Sequence, residues 1–335
     1  MNLDKYWMEQ VLELAKKGLG GASPNPLVGC LIVKNKKIVG EGSHARFGCP
    51  HAEINALQQA GARAQGATLY VNLEPCCHFG KTPPCTDSII KSGIKKVVYA
   101  MYDPNPIVSG KGLRALKKAG IELRGGVCEE EAKDLNRSFI KYIVNKKPYV
   151  ILKTALSLDG KICTRSGDSK WISSKASRKL VHQLRSQVDG ILVGAETVRR
   201  DNPSLTSHGE GRNPVRIVIS SSGNLPKKSK IFDDSAPTWV FNGKIKFSNL
   251  LKQCAKKGVS KLLIEGGGTT AALALESKEV DEIYFFIAPI LIGGKDALTP
   301  FEGKGFEKIS QALHLENICV ERIDQDILIN GRIKK

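Results

Sequence analysis

Three short stretches of this chain hold residue types that do hydrolytic metal chemistry: His51-Ala52-Glu53, Glu74-Pro75-Cys76-Cys77 and Pro83-Pro84-Cys85. An imidazole and two thiolates make three protein ligands for zinc, and three ligands leave the fourth position open for water. The metal lowers the pKa of that water to near neutral, and a carboxylate that is not itself a ligand, here Glu53, can then shuttle protons. The competing reading is a closed structural zinc, because His44, Cys49, Cys77 and His78 offer spare ligands. Cys76 is preferred to Cys77 as the second ligand because it directly follows Pro75.

The elements around these residues must aim them at one point. Residues two apart in mid-helix diverge, so His51 and Glu53 can share a site only from a helix start, and Pro50 suits the first helical position. Cys85 follows two prolines at another expected helix start, where the dipole favours a thiolate. Cys76 ends the strand-like run 67–73. The pattern H-x-E followed by P-C and a further Cys is the signature of zinc deaminases of amino-substituted bases. The interval from Cys76 to Cys85 is longer than the two residues of that signature.

The surrounding pattern alternates strands and helices, which predicts an α/β layered domain. Trp7, Val11 and Leu14 mark a first helix, and Ser23-Pro24-Asn25-Pro26 is a turn. Residues 27–33 and 37–41 read as a hairpin about Asn35-Lys36. A helix to about Ala60, a strand at 96–101 and helices at 111–119 and 129–144 complete this half. Lys146-Lys147-Pro148 reads as a linker, dividing the chain into domains of residues 1–146 and 147–335. The second half has expected strands at 149–154, 190–193, 215–219, 238–241, 261–264, 281–288 and 327–329. Its expected helices are 177–187 and the one that follows the glycine-rich turn at 266–270.

Two domains suit 335 residues with 41% apolar content. No run of eighteen apolar residues spans a membrane, and the polar N-terminus lacks a secretory apolar segment. Nine cysteines argue for thiols and ligands in a reducing compartment, so the expected location is cytoplasmic. The net charge of +18 comes largely from lysine pairs scattered along the chain, and aromatics make up only 6%. Such a surface attracts small phosphorylated substrates, and nucleic acid is not the expected partner.

Ser23-Pro24-Asn25-Pro26-Leu27-Val28-Gly29, the His51-Ala52-Glu53 motif, and residues 74–85 from Glu74 to Cys85 resemble the bifunctional deaminase-reductase family of riboflavin biosynthesis. The resemblance implies an N-terminal cytidine-deaminase-like α/β/α domain. It would hydrolytically deaminate 2,5-diamino-6-(phosphoribosylamino)pyrimidin-4-one at a Zn2+ site of His51, Cys76 and Cys85. Glu53 is then the proton carrier, and Asn25, His44 and Lys81 are candidate substrate contacts.

In the second half, Gly266-x-Gly268-x-x-Ala271 between an expected strand and helix nominally satisfies a dinucleotide fingerprint. It lies near the end of its domain rather than at the start, so its firm content is narrower: unobstructed backbone N–H groups at a helix start bind phosphate. The stretches 153–161, 169–172, 194–198, 201–206 and 265–267 are similar to the family's reductase, which implies a dihydrofolate-reductase-like domain using NADPH to reduce the ribosyl to the ribityl chain. By motif, Ala155, Trp171, Thr197, Asp201, Ser221 and the turn Gly267, Gly268, Thr269, Thr270, Ala271, Ala272 and Leu273 meet NADPH. Lys153, Ser169, Arg185, Leu205, His208 and Glu265 meet the substrate. Where many relatives have Leu-Thr-x-Arg, this chain has Leu205-Thr206-Ser207-His208. Either Arg212 or a lysine replaces that arginine, or phosphate affinity falls as pH rises.

The expectation is therefore a two-domain enzyme, paired in a homo-oligomer, that acts twice on one small phosphorylated pyrimidine. Two alternatives stand beside it: a zinc-dependent deaminase of a flipped tRNA base, and a nucleic-acid-binding module with a structural zinc. The first leaves the glycine-rich half unexplained. The second predicts that Glu53 is dispensable.

Overall fold

The computed structural model describes residues 2–78 and 83–334, so Lys81 lies outside the described residues. The chain forms two compact units, Met1–Lys146 and Lys147–Lys335.

The first unit is built on a sheet of order β2-β1-β3-β4-β5, with β1 Gly29–Lys34, β2 Lys37–Ser43, β3 Thr68–Leu73, β4 Lys96–Met101 and β5 Glu122–Arg124. Asn35 and Lys36 both take positive φ, which is the two-residue hairpin turn whose twist matches its flanking strands. Strands β3, β4 and β5 run parallel, and β1 is antiparallel to both neighbours. Helix α1 (Leu3–Ala15) packs on β1 and β3, and α2 (Ala52–Ala60) packs on β2 and β1. The register Gly29↔Ser43 shows that these helices lie on opposite faces. A Cβ on Gly29 would sit 2.2 Å from Val11 O, and one on Gly42, next to Ser43, 2.2 Å from Ala52 O. Alternation along β2 turns these two positions to opposite sides of the sheet.

Helices α3 (Cys85–Lys91) and α4 (Lys111–Lys118) continue the α2 layer, while α5 (Glu129–Leu135) joins α1. The single helix expected over 129–144 is broken. Asn136 separates α5 from α6 (Arg137–Asn145), and its side chain is used elsewhere: Oδ1 accepts from Leu27 N at 2.8 Å and Nδ2 donates to Leu27 O at 3.0 Å. Pairing the 24–28 turn has displaced helical continuity.

The second unit holds a sheet of order β12-β13-β11-β6-β10-β7-β8-β9. Its strands are β6 Tyr149–Ser157, β7 Gly190–Gly194, β8 Val215–Ser220, β9 Thr238–Asn242, β10 Lys261–Ile264, β11 Glu282–Ala288, β12 Leu315–Ile323 and β13 Asp326–Ile333. From β11 to β9 the pairing is parallel, and the β12–β13 hairpin closes one edge antiparallel. The central strands are buried on both faces, as a parallel sheet with covered faces requires. Val150, Leu152, Leu262 and Ile264 join one core, and Ile151 and Leu263 the other. Helices α7 (Lys175–Ser186), α8 (Ala195–Asp201), α9 (Phe247–Lys256) and α10 (Gly268–Glu276) connect the strands. At the amino ends of β7 and β10, Asp189 Oδ2 accepts from Ser260 N, Ser260 Oγ and Lys261 N at 2.8–2.9 Å, and Oδ1 takes Arg212.

The expected strands of both halves are present. Not anticipated were β5, α8, α9 and β12. No helix among the described residues is long and apolar enough to cross a membrane.

Candidate active sites

The first site forms where α2, α3 and the end of β3 converge. His51 is the N-cap of α2, whose first helical residue, Ala52, lies two residues beyond the Pro50 that was expected there, and Glu53 falls in the opening turn. Pro84 caps α3 and Cys85 is its first residue. His51 Nδ1 lies 3.5 Å from Cys76 Sγ and 3.3 Å from Cys85 Sγ, and all three donor atoms fall within 4.8 Å of one another. Tetrahedral zinc with Zn–N near 2.05 Å and Zn–S near 2.3 Å would hold N and S about 3.6 Å apart, so this donor set fits the ion. Among the described residues Cys77 is outside the cluster.

The electrostatics follow from burial and crowding. The Cys76 thiol is held well below its ordinary value, first by the hydrogen bond from Cys85, while the same bond and burial push Cys85 up. Glu53 is 4% exposed. Burial, with the Cys76 sulfur adding and His51 opposing, lifts its carboxyl to about 7, the range in which a group can both take and give a proton near neutrality.

His51, Glu53 and Cys76 open onto a cavity of about 320 Å³ that Asn25, His44, His78, Asp103 and Asn105 also line. His44 Nδ1 is 3.2 Å from Pro50 O and so carries the proton, which leaves Nε2 as acceptor for Asn25 Nδ2 at 3.0 Å. Burial holds this imidazole below its usual pKa. Asp103, which the sequence reading passed over, is 8% exposed, and burial raises its carboxyl to about 6. Its place is set by Glu74. That buried carboxylate accepts from the N–H groups of Asp103, Gly110, Gly112 and Leu113 at 2.9–3.4 Å. The start of α4 comes so close that a Cβ on Gly112 would sit 2.1 Å from Pro75 O. Only the Asp103-Pro104-Asn105-Pro106 composition could have marked this loop, and it reads as an ordinary turn.

In the second unit the candidate residues gather past the carboxyl ends of the parallel strands, where open α/β sheets bind ligands. Glu265 follows β10, the Gly194–Thr197 turn follows β7, and Ser221 follows β8. Arg185 on α7 grips Glu265 with two bonds of 2.8 and 3.0 Å, and Lys153 on β6 adds a third at 3.0 Å. The Glu265 side chain is 6% exposed, and although burial alone would raise it, the two cations hold its carboxyl far below the usual range. Arg185 also donates to Thr206 O, joining Leu205 and its loop to the group.

Helix α10 starts at Gly268 with Gly267 as N-cap and no side-chain cap. Gly267 N donates to Thr197 Oγ1 at 3.3 Å. Apart from that oxygen, at 3.8 Å, the space a Gly267 Cβ would occupy is open, whereas a Cβ on Gly268 would meet Thr299 O at 2.6 Å. An uncapped helix start with bare backbone in front of it is what a cofactor phosphate needs. Thr197 and residues 267–273 are thus brought together. Asp201 ends α8, and Trp171 is exposed beneath the Arg178 guanidinium, 4.5 Å from its ring centroid. Ala155 lies on β6, and Ser169 in the loop between β6 and α7. Arg212 is committed to Asp189 and Val188 O and does not take the place of the absent arginine.

An N,S,S donor cluster with a buried carboxyl defines a hydrolytic nucleobase-deaminase unit, and a helix start with an acid chelated by two cations defines a dinucleotide-dependent one. Residues 1–101 match the cytidine and deoxycytidylate deaminase zinc-binding region, and residues 148–329 match the RibD C-terminal domain. Riboflavin biosynthesis protein RibD of Synechocystis sp. is 45% identical over 98% of this chain and 96% of its own length. The Escherichia coli protein of the same name is 37% identical over 98% of both. Acinetobacter baumannii RibD superposes with a TM-score of 0.93 at 39% identity, covering 99% of each chain. A diaminohydroxyphosphoribosylaminopyrimidine deaminase/5-amino-6-(5-phosphoribosylamino)uracil reductase of Thermotoga maritima does so with 0.90 at 39%, covering 99% of each. This chain belongs to the RibD family of riboflavin biosynthesis proteins. Its units are the deaminase-like α/β/α layer and the dihydrofolate-reductase-like sheet of that family.

Proposed function

We propose that the chain performs two consecutive steps on one phosphorylated pyrimidine. The first is hydrolytic deamination of the diaminopyrimidinone in residues 1–146, and the second is NADPH-dependent reduction of its ribosyl group to ribityl in residues 147–335. The observation that carries the reading is the convergence of His51 Nδ1, Cys76 Sγ and Cys85 Sγ, with the buried Glu53 carboxyl hydrogen-bonded to Cys85 and lining the same cavity as His51 and Cys76.

His51, Cys76 and Cys85 would hold zinc, which when bound supplies the Lewis acidity that brings water near neutral pKa. A Glu53 carboxylate oxygen takes one proton from the attacking water and delivers it to the ring nitrogen, then takes the second from the hydroxyl so formed on the ring carbon and delivers it to the amino group, which leaves as ammonia. Asn25 and neutral His44 hold the ring from one wall, and Lys81 meets the substrate's charged end. In the second unit, Gly267, Gly268, Thr269, Thr270, Ala271, Ala272 and Leu273 cradle the phosphates of NADPH, with Ala155, Trp171, Thr197, Asp201 and Ser221 along its length. NADPH when bound supplies the hydride. Lys153, Ser169, Arg185, Leu205, His208 and Glu265 fix the substrate, the two cations keeping Glu265 ionised and its oxygens in place. The free cysteines support a reducing, cytoplasmic setting. The chain is expected to act as a symmetric homo-oligomer, measurable by sedimentation.

Purified protein given the diaminopyrimidinone, zinc and NADPH should release ammonia and consume NADPH in equal amounts, and the absence of both refutes the reading. Glu53→Gln should stop ammonia release yet keep zinc and still oxidise NADPH with the deaminated intermediate. Cys85→Ser should lose the metal.

A further inference from the structure

The turn after β6 and the loop after β11 leave the sheet side by side and are fastened to each other. The two strands pair in parallel as far as Ser157↔Ala288, two positions beyond Ala155↔Phe286. Leu158 N then donates to Ile290 O and Ile162 N to Leu298 O, each at 2.9 Å, and Lys161 Nζ reaches Ala297 O at 3.0 Å. Between these ties stands Asp159. Its Oδ1 accepts from Ser157 Oγ at 2.6 Å and from Ile292 N at 3.0 Å, and its Oδ2 from Gly293 N at 2.7 Å. Gly293 and Gly294 take φ of 67° and 85°, the left-handed backbone that lets the loop turn its N–H groups onto the carboxylate. The hydroxyl and the two N–H groups hold the Asp159 carboxyl down at about 2, so it stays ionised at neutral pH.

The far end of the same loop reaches the α10 start. Thr299 N and Oγ1 donate to Glu302 Oε1 at 2.6 Å, and Glu302 N donates to Gly268 O at 3.1 Å. Residues 289–302 are thus held at one end by Asp159 and at the other by the first residue of α10. Between its anchors the loop borders the place where a hydride donor must lie, because a cofactor whose phosphates sit at the α10 start has to extend to the substrate group of Lys153 and Glu265. The lip of the two fastened segments is apolar and open to water: Leu291 is 76% exposed, Leu158 63% and Ile290 40%. Large apolar side chains grouped at the mouth of a site are covered when the site fills.

We propose that Asp159 is a positioning residue for the NADPH-dependent step: it fixes the loop after β11 before the cofactor arrives, so that Leu158, Ile290 and Leu291 close against the nicotinamide half of NADPH. This rests on the reading of the second unit as an NADPH-dependent reductase. Ordering a loop costs conformational entropy, and a loop already fastened in the free protein is spared that cost at binding. The reduced nicotinamide is flat and uncharged, which suits an apolar lip. Asp159 itself touches only the loop, and its effect on the cofactor passes through the three apolar side chains.

Binding of NADPH to the full chain, followed by the change in its fluorescence, and KM for NADPH with the deaminated intermediate are measured on wild type and four variants. Asp159→Ala frees two backbone N–H groups and should raise Kd and KM about tenfold, with kcat changed less than about threefold. Asp159→Asn keeps one acceptor oxygen and should fall between. Leu291→Ala, an exposed position that leaves the fold alone, should raise both constants about fivefold. If Asp159 acts through the lip, Asp159→Ala/Leu291→Ala is within about twofold of Asp159→Ala, whereas independent effects would multiply. Hydrogen exchange of a peptide spanning residues 288–298 should quicken in free Asp159→Ala, and saturating NADPH should slow it in wild type and variant alike. Ammonia release should be the same in all five proteins. Unchanged NADPH affinity in either single variant, multiplying effects in the double variant, or no protection of the peptide by NADPH overturns the role of Asp159 alone. Failure of the wild type to bind and oxidise NADPH overturns the parent reading and this one with it.

Discussion

Asn136→Ala tests how the first cavity is held open. Asn136 is 1% exposed and closes two bonds onto one residue, accepting Leu27 N–H at 2.8 Å and donating to Leu27 C=O at 3.0 Å. Asn72 Nδ2 also donates to Leu27 O at 2.8 Å, so after substitution the carbonyl keeps a partner and the N–H is stranded. A stranded buried N–H costs about 1–3 kcal/mol and an ordinary lost bond about 1 kcal/mol. Leu27 is only half-buried, so the sum falls toward the lower end, about 2 kcal/mol, a factor of about thirty in the local opening equilibrium. The loosened segment supplies Pro24, Asn25, Pro26 and Val28 to the cavity wall. Hydrogen exchange followed by mass spectrometry on peptides spanning residues 22–34 reads that opening directly, with residues 261–276 of the second unit as an internal control. Exchange in the first peptide should quicken about thirtyfold and ammonia release should fall, while NADPH oxidation with the deaminated intermediate is unchanged. An acceleration below about threefold, or an equal one in both units, would refute the argument.

Three further outcomes are expected. Glu265→Gln leaves Lys153 and Arg185 facing a neutral amide in a buried site and should cost about 3–5 kcal/mol of stability, so an unchanged thermal transition would contradict the role of the two cations. Gly268→Ala drives a Cβ to 2.6 Å from Thr299 O; relieving it should cost about 1–3 kcal/mol, read as at least a roughly fivefold rise in KM for NADPH with ammonia release untouched. Asp103→Asn should stabilise the chain at pH 7.5 and not at pH 4. The folded carboxyl titrates at about 6 against an ordinary 3.8, so it favours the fold below 3.8 and loses that contribution as pH rises through 6. The amide keeps the acceptor for Asn105 N, and the gain at pH 7.5 should approach about 2–3 kcal/mol. Melting curves at the two pH values decide it, equal shifts at both being the contrary result.

The sequence marked those features whose physics is local. The Asn35-Lys36 turn, the proline before Cys85, the alternation of strands with helices and the His51–Glu53 spacing each act within a few residues. The geometry brings Cys76 rather than Cys77 to His51 and Cys85, in the direction that the Pro75 context suggested. What escaped notice depends on partners far along the chain. Asn136 breaks a helix because Leu27 needs it, and Asp103 enters the cavity because Glu74 gathers four N–H groups around it. Helix α9 is a different kind of omission, since Phe247, Leu250, Leu251 and Cys254 carry the helical period openly and are buried as it requires. Strand β12 could not be read that way, because most of it is exposed and no buried face disciplines its pattern.

Asp189 shows how the second unit separates its tasks. This carboxylate ties the amino ends of β7 and β10 together through Ser260 and Lys261, at the end of the sheet opposite to Glu265 and the α10 start. Durability and chemistry are thus lodged at opposite poles of the same strands. For an engineer they are two adjustments joined at one point: the Asp189 pole can be rebuilt to raise the working temperature and the loops at the other pole redrawn for a new substrate, so long as Arg212, which Asp189 holds in the loop that carries Leu205 and His208, is kept.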